Sequence, residues 1–326
     1  MLIGIGLGAG LVSALLFAVV ITGSPLGVVL SYVAPLPILI AALGWNHRSG
    51  LVAVVTGAAA VALVLRPATG VAFAIGSGFP AWWIAYLALL GRPAASPPRP
   101  GAPPVMEWYP LGRLLLWIAL TAAAVILIGT VAIGRGNAEA YRSALSAAVE
   151  TFLRVGERTA SGSPLPPVAG MEAASFIGML VALLPVIAAS VFCLFFTVNT
   201  WLAAKAVAVS GRLSRPWPYL PGTRMPTAAI ILLAAGVLAA FGPGFVSTAG
   251  TALVGALSMA FALQGLALLH HLTHGRPGRT GLLVGTYLLT IFFGGTILPL
   301  MTLMGILDSA TQLRRRLALS PGPMPD

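Results

Sequence analysis

The sequence predicts an all-α fold, a polytopic transmembrane helical bundle of about 8–10 spans with one amphipathic surface helix. Three observations predict it. The chain is 58% hydrophobic and 8% charged, where a soluble domain carries about 25% charged residues. Mean hydropathy is +0.98. About nine stretches approach the roughly 20 apolar residues that a helix needs to cross a hydrocarbon core about 30 Å thick. Residues 1–316 read as one integral membrane domain and residues 317–326 as a disordered tail.

The expected spans, in order, are Leu2–Thr22, Val28–Trp45, Leu51–Leu65, Val71–Leu90, Leu111–Ile133, Ala173–Ala203, Thr227–Phe241, Thr248–Leu269 and Gly281–Leu307. The first is a span and not a cleavable signal, because no charged n-region opens it and no small-x-small site follows it. It reads GIGLGAGLVSALLFA, in which Gly6, Gly10, Ala14 and Ala18 recur every four residues. Such a ridge lets two helix backbones approach closely, either within the bundle or against a partner membrane subunit. In the second span Tyr32 precedes Pro35 and Pro37. Trp45, Trp82, Trp83, Trp108, Trp201 and Trp217 fall near span ends, where an indole ring is half wet.

Two connections are long. Residues 92–110 (RPAASPPRPGAPPVMEWYP) form an extended proline-rich linker, since proline fixes φ and removes an amide donor. Within residues 134–170, Asn137–Val155 has helical period. Tyr141, Leu145, Ala148, Val149 and Phe152 share one face, while Glu139, Arg142, Glu150 and Arg154 take the other. Asn137 suits the N-cap, and Glu150 and Arg154 are spaced i,i+4. This is the amphipathic helix, lying on the membrane or packed on the bundle. The segment SGSPLPP (Ser161–Pro167) breaks it.

The later spans are irregular. The sixth runs on apolar to about Val209, which suits a tilted or projecting helix. The last is interrupted by Gly294, Gly295 and Pro299; a kinked helix and two half-helices both fit.

Net charge is +11, and it lies in the connections, where it orients the chain and meets anionic lipid rather than nucleic acid. With the loop Lys205–Arg224 cytoplasmic, that side collects Arg48, Arg92, Arg99, Arg113, Lys205, Arg212, Arg215, Arg224, Arg276 and Arg279. The other side receives Arg66, Arg135, Arg142, Arg154 and Arg158. The N-terminus is then cytoplasmic. Nine crossings put Arg314, Arg315 and Arg316 outside, and a hairpin in the last stretch returns them.

Chemistry-bearing residues are sparse. Ionisable groups within spans mark proton or ion paths, and Asp308, at the end of the last span, stands nearest, placed to pair with Arg314–Arg316. His270, His271 and His274 form an interfacial cluster without the carboxylate or cysteine of a metal site. Cys193 is lone and apolar in setting. No nucleophile–base set and no phosphate loop occurs, so neither catalysis nor a cofactor is expected. The uncharged polar residues deep in spans are few: Gln264 with Ser258 nearby, Asn199 with Thr200, and Tyr32. Of these Gln264, Asn199 and Tyr32 are candidates for a small solute or for neighbouring helices, because a buried amide needs partners.

Five strings carry a resemblance: YVAPLPILIAALGW (Tyr32–Trp45), GFPAWWIAYLALLGR (Gly78–Arg92), SGRLSRPWP (Ser210–Pro218), LQGLALLHHLTHG (Leu263–Gly275) and GILDSATQLRRR (Gly305–Arg316). They resemble the YybS-like family of bacterial multi-pass proteins, particularly its alphaproteobacterial branch. That family is similar, at superfamily level, to substrate-binding membrane subunits of vitamin-type uptake transporters and to rod-shape morphogenesis subunits. The resemblance implies a transport-related subunit in which Gly10, Ala14 and Ala18 dock a partner. An envelope scaffold is the alternative. The extra spans and the Asn137–Val155 helix depart from a six-helix subunit.

Overall fold

Apolar runs punctuated by proline and glycine fold here as helices whose ends fall at that punctuation. The computed structural model describes residues 2–94, 105–157, 167 and 170–311. The helices are α1 (Leu2–Ala18, continued by a 3₁₀ turn Val19–Thr22), α2 (Pro25–Tyr32), α3 (Pro35–Gly44), α4 (His47–Val64), α5 (Pro67–Phe73) and α6 (Phe79–Ala88). A two-stranded ladder follows, β1 (Gly91–Pro93) with β2 (Met106–Trp108). Then come α7 (Leu111–Ile133), α8 (Ala138–Glu157), α9 (Ala173–Val209), α10 (Ala228–Ala240), α11 (Phe245–Leu272), α12 (Arg279–Phe292) and α13 (Gly294–Thr311).

The all-α bundle holds. Seven helical stretches among the described residues are long and apolar enough to cross a bilayer: Leu2–Thr22, Pro25–Gly44, His47–Val64, Pro67–Ala88, Leu111–Ile133, Ala173–Val209 and Phe245–Leu272. Two expected spans come out differently. The stretch Thr227–Phe241 yields only the 13 residues of α10, because Gly242–Pro243–Gly244 ends it. The stretch Gly281–Leu307 divides at Phe293 into α12 and α13. The sixth span is longer than its apolar core, 37 residues with Pro185 inside.

The ends of the proline-rich connection are paired rather than loose. Gly91 stands opposite Trp108, Arg92 opposite Glu107 and Pro93 opposite Met106, antiparallel, with an Arg92 Nε–Glu107 Oε2 ion pair of 2.9 Å. The middle of that connection, Ser161–Pro166, Arg314–Arg316 and the tail 317–326 lie outside the described residues.

The chain folds into two compact units. The first holds Met1–Ile118, Cys193–Pro226 and Ala260–Asp326. In it α1 packs on α4 through glycine: a Cβ on Gly6 would stand 2.7 Å from the Ser49 carbonyl, and one on Gly10 would stand 2.5 Å from the Ala53 carbonyl. Also on α4, Gly50 meets Ala42 of α3, and Gly57 meets both the Phe73 ring and the Gly10 carbonyl of α1. Ile38, Leu39, Ala53, Phe73, Ala81, Ile84 and Ala85 fill the core between these helices.

The second unit holds Ala119–Phe192 and Thr227–Met259. Its helices also meet through small residues: Gly236 and Gly250 seat α10 on α11, and Gly255 seats α11 on Val186 of α9. Ser190 Oγ donates to the Gly255 carbonyl at 2.9 Å. An apolar groove along α10, lined by Ile230, Leu233, Ala234, Val237 and Leu238, offers no polar group. In α8, Asn137 Oδ1 caps the N-terminus by accepting from Glu139 N at 2.8 Å and Ala140 N at 3.1 Å, and Arg154 Nη2 meets Glu150 Oε1 at 2.6 Å. Its buried face is narrower than the period suggests. Tyr141 is buried and Leu145 and Val149 are half-buried, but Ala148 is exposed and Phe152 is 77% exposed. The last two sit on the flank of the stripe, turned away from the chain.

Candidate functional site

Two helix breaks in the first unit place the polar residues of interest. At the first, Pro35 has no amide hydrogen, so α2 ends in tight turns: Val33 N–H bonds Leu30 O, and Leu36 N–H bonds Val33 O. The Tyr32 carbonyl therefore loses the Leu36 N–H that a continuous helix would supply. Asn199 Nδ2, from α9, takes it at 2.9 Å and also donates to Phe195 O at 2.8 Å. The two carbonyls fix the amide's orientation, since a flipped Asn199 would set oxygen against oxygen. The Tyr32 ring stacks on Phe195 at 4.4 Å. Asn199 is buried, and its Oδ1 has no partner among the described residues.

The second break is a π turn, Ala74–Gly78, between α5 and α6. Pro80 is its cause, because a proline leaves a carbonyl on the preceding turn without a donor. Phe79 N–H reaches back to Ala74 O, the wide register of a π-helix, a form frequent at functional sites. The turn packs on α4, with Gly78 against Val54, and Gly50 lies 3.5 Å from Trp82 Cδ1 when given a Cβ. Along this seam Ser77 Oγ and Trp82 Nε1 are buried and have no hydrogen-bond partner among the described residues; the same holds for Ser49 Oγ of α4, whose carbonyl faces Gly6 of α1. His47 Nδ1, at the start of α4, is in the same state, with its ring 5.4 Å from Tyr86. The large majority of buried side-chain polar atoms are paired, so these unpaired ones on α4, the π turn and α6 stand out.

Gln264 of α11 differs. It is fully buried. Its Oε1 accepts from Met225 N at 2.9 Å. Its Nε2 donates to Asp308 Oδ2 at 2.9 Å, Ser309 Oγ at 3.0 Å and Gly305 O at 3.1 Å. Arg224 Nη2 closes the set on Ser309 O at 3.0 Å. A primary amide offers two donors and one acceptor oxygen with two lone pairs, and here protein groups surround both ends. Asp308 is thus an internal member of a network between α11 and α13; Arg314–Arg316, its expected partners, are not among the described residues.

The first-helix ridge also finds its contact within the chain. Gly6, Gly10 and Ala14 are buried, and α4 covers the two glycines; Ala18 is half-buried. The outer face, with Ile3, Leu7, Leu11 and Leu15, is exposed.

Cations ring one group of tryptophans in the first unit. Lys205 Nζ lies 5.0 Å from the Trp217 ring, and the Arg212 guanidinium 4.8 Å from Trp45. Arg215 lies 5.9 Å from Trp108 and donates to Ala88 O at 3.1 Å, capping the end of α6. Burial lowers the Arg215 pKa from its ordinary value. The histidines pair with phenols: His270 Nε2 with Tyr287 Oη at 2.8 Å, His271 Nδ1 with Tyr219 Oη at 3.2 Å.

The structure therefore joins Asn199 to Tyr32 and gives Gln264 a separate set of partners. Sequence reasoning missed Ser49, Ser77 and Trp82. The signal for the last two was the string Gly76-Ser77-Gly78-Phe79-Pro80, a proline just after two glycines inside an apolar run; nothing in the sequence marked Ser49.

Residues 11–309 match the family described as "Predicted membrane protein (DUF2232)". No curated protein and no solved structure matches the chain. The chain belongs to the DUF2232 family of membrane proteins.

Proposed function

We propose that this multi-pass membrane protein is the solute-binding subunit of an uptake system, taking a small uncharged polar molecule. The observation that carries this reading is the seam between α4 and the π turn, where Ser77 Oγ and Trp82 Nε1, with Ser49 Oγ elsewhere on α4, lie buried without hydrogen-bond partners among the described residues. A hydroxyl donates and accepts and an indole only donates, so the seam suits a solute with carbonyl, amide or hydroxyl groups. Charge plays no part in its recognition. Asn199 and Tyr32 form a second polar point at the α2–α3 break; Gln264 serves the α11–α13 contact. The family resemblance carried by the five sequence strings, which implies a transport-related subunit, points the same way.

The chain has no phosphate-binding loop, so the energy for uptake comes from a partner. Its membrane subunit docks on the first helix through the exposed face bearing Ile3, Leu7, Leu11 and Leu15. The cation–tryptophan contacts around Lys205, Arg212 and Arg215 support an interfacial, cytoplasmic placement of that loop in a bacterial inner membrane, with the N-terminus on the same side.

The test is extraction of the full-length protein, purified in lipid nanodiscs, followed by mass spectrometry of released small molecules. The wild type carries one compound in near-stoichiometric amount, and Ser77→Val and Trp82→Phe lose it while melting within a few degrees of wild type. A wild type that carries nothing, and whose melting point no polar solute raises, rejects the reading. A scaffold role is favoured by one observation, the inward use of both the Gln264 network and the Gly6–Gly10 ridge, and it predicts protein partners that survive Ser77→Val.

A further inference from the structure

The apolar stretch after α11 has two helices, and their register fixes how many times it crosses the membrane. A Cβ on Gly265 of α11 would collide with the Met301 backbone of α13, and one on Gly305 of α13 would collide with the Phe261 backbone. Four residues forward on α13 correspond to four residues back on α11, so the two helices run antiparallel. Helices share a rise of about 1.5 Å per residue. Seven residues back from Met301 is Gly294; seven forward from Gly265 is Leu272. The start of α13 therefore lies level with the end of α11.

The other end of α12 is tethered to that same level. Residues 273–278 leave α11 in tight turns, with Thr273 N–H on Leu269 O, His274 N–H on His271 O and Arg276 N–H on Thr273 O. Arg279 follows at once. The middle of α12 is held there too, by the 2.8 Å contact of Tyr287 Oη with His270 Nε2. Start, middle and end of α12 all sit at one end of α11.

The faces of α12 run opposite to those of a soluble surface helix. Arg279, Leu283, Thr286 and Thr290, spaced i, i+4, i+7, i+11, are half-buried toward the chain. Leu282, Val284, Leu288, Leu289, Ile291 and Phe292 are exposed, the last two at 74% and 75%. An outward apolar face suits lipid. Beside it His274 and Arg276 are exposed and suit the anionic headgroup layer.

We propose that α12 is an interfacial helix, bedded along the acyl–headgroup boundary, that makes no crossing, so residues 273–278 and 294–296 lie on the same side of the membrane. The contact face is lipid, not a partner subunit or a second copy.

Two measurements on the full chain in native membranes or liposomes test this, in a Cys193→Ala background. Pro277→Cys and Gly295→Cys are treated with a membrane-impermeant maleimide from each side. Both react from the same side; reaction from opposite sides overturns the proposal. Should either fail to assemble, His274→Cys and Thr296→Cys replace them. Nitroxides are then placed at Leu282→Cys, Leu288→Cys and Ile291→Cys. All three report one shallow depth and ready collision with oxygen. A depth that grows steadily along α12 overturns the interfacial placement. One shared depth with poor collision by both oxygen and a water-soluble nickel complex means that protein covers the face, and overturns lipid as its occupant.

Discussion

Gln264 and Asn199 look alike in the sequence, two amides stranded among apolar residues, yet their surroundings divide them. The Gln264 amide is enclosed by Met225, Gly305, Asp308 and Ser309, whereas Asn199 repairs a carbonyl freed at the Pro35 break and keeps an oxygen without a partner among the described residues. Gln264→Leu removes the partner of the Met225 amide and a donor to Asp308, and a buried group left unpaired costs about 1–3 kcal/mol. Thermal unfolding in a matched detergent reads this as a fall of several degrees; an unchanged midpoint means that the network holds nothing together. Glycine makes a sharper contrast. A methyl at Gly10 would stand 2.5 Å from the Ala53 carbonyl and 2.8 Å from Thr56 Cβ, while one at Gly8 meets nothing within 4 Å. Gly10→Ala should destabilise by about 1–3 kcal/mol through overpacking, and Gly8→Ala should not. Equal midpoints for the two would contradict the α1–α4 contact. That some face of the first helix carries small residues was legible from the four-residue recurrence. Which helix would fill it was not, because small-xxx-small pattern fixes closeness of approach and not the identity of the neighbour.

Helix breaks were legible to different degrees. Gly294 and Gly295 marked α13, since glycine acts through the local backbone, whereas the second span was read as one helix although Pro35 divides it into α2 and α3. The π turn at Ala74–Gly78 was not read, because a π turn keeps the chain helical and leaves hydropathy unchanged. For α8 the period gave the helix and its cap, but not the width of the buried face, which its neighbours set. Its central anchor is Tyr141, buried and close to Gly134, where an added Cβ would lie 2.8 Å from Tyr141 Cβ. Burial raises the Tyr141 phenol above its ordinary value of 10.0. A raised folded-state pKa means that the neutral form is favoured in place, so this contribution is whole below about pH 10 and is lost as pH climbs through the folded value. Amide exchange in α8, compared at each pH with Tyr141→Phe, checks the sign. The wild type should exchange faster than Tyr141→Phe only on the alkaline side; a gap at neutral pH that vanishes in alkali would reverse it.

At the scale of the whole molecule, lipid as the medium was readable from composition alone, because hydropathy sums over the chain and needs no contact map. Crossing number was less readable, since an apolar stretch of the right length, such as Gly281–Leu307, folds as two helices with different relations to their neighbours. Orientation rests on charge. Cations cluster in the loop Lys205–Arg224 and contact Trp45, Trp108 and Trp217, an arrangement suited to an anionic leaflet on the cytoplasmic side. Two turns are convenient probes of this. Gly136, after α7, and Gly211, after α9, adopt φ of 79° and 70° and have open space around them, so chain appended there disturbs no packing. Between them lies α9, long and apolar enough to cross. Alkaline phosphatase fused after Gly136 should be active, since it folds only outside the reducing cytosol, and a fluorescent protein fused after Gly211 should shine in the cytosol. The reverse pattern would turn the molecule over, placing the basic loop outside and removing the charge argument for its orientation. An active phosphatase after Gly136 together with a dark fluorescent protein after Gly211 would go further, because it would mean that the 37 residues of α9 do not cross at all.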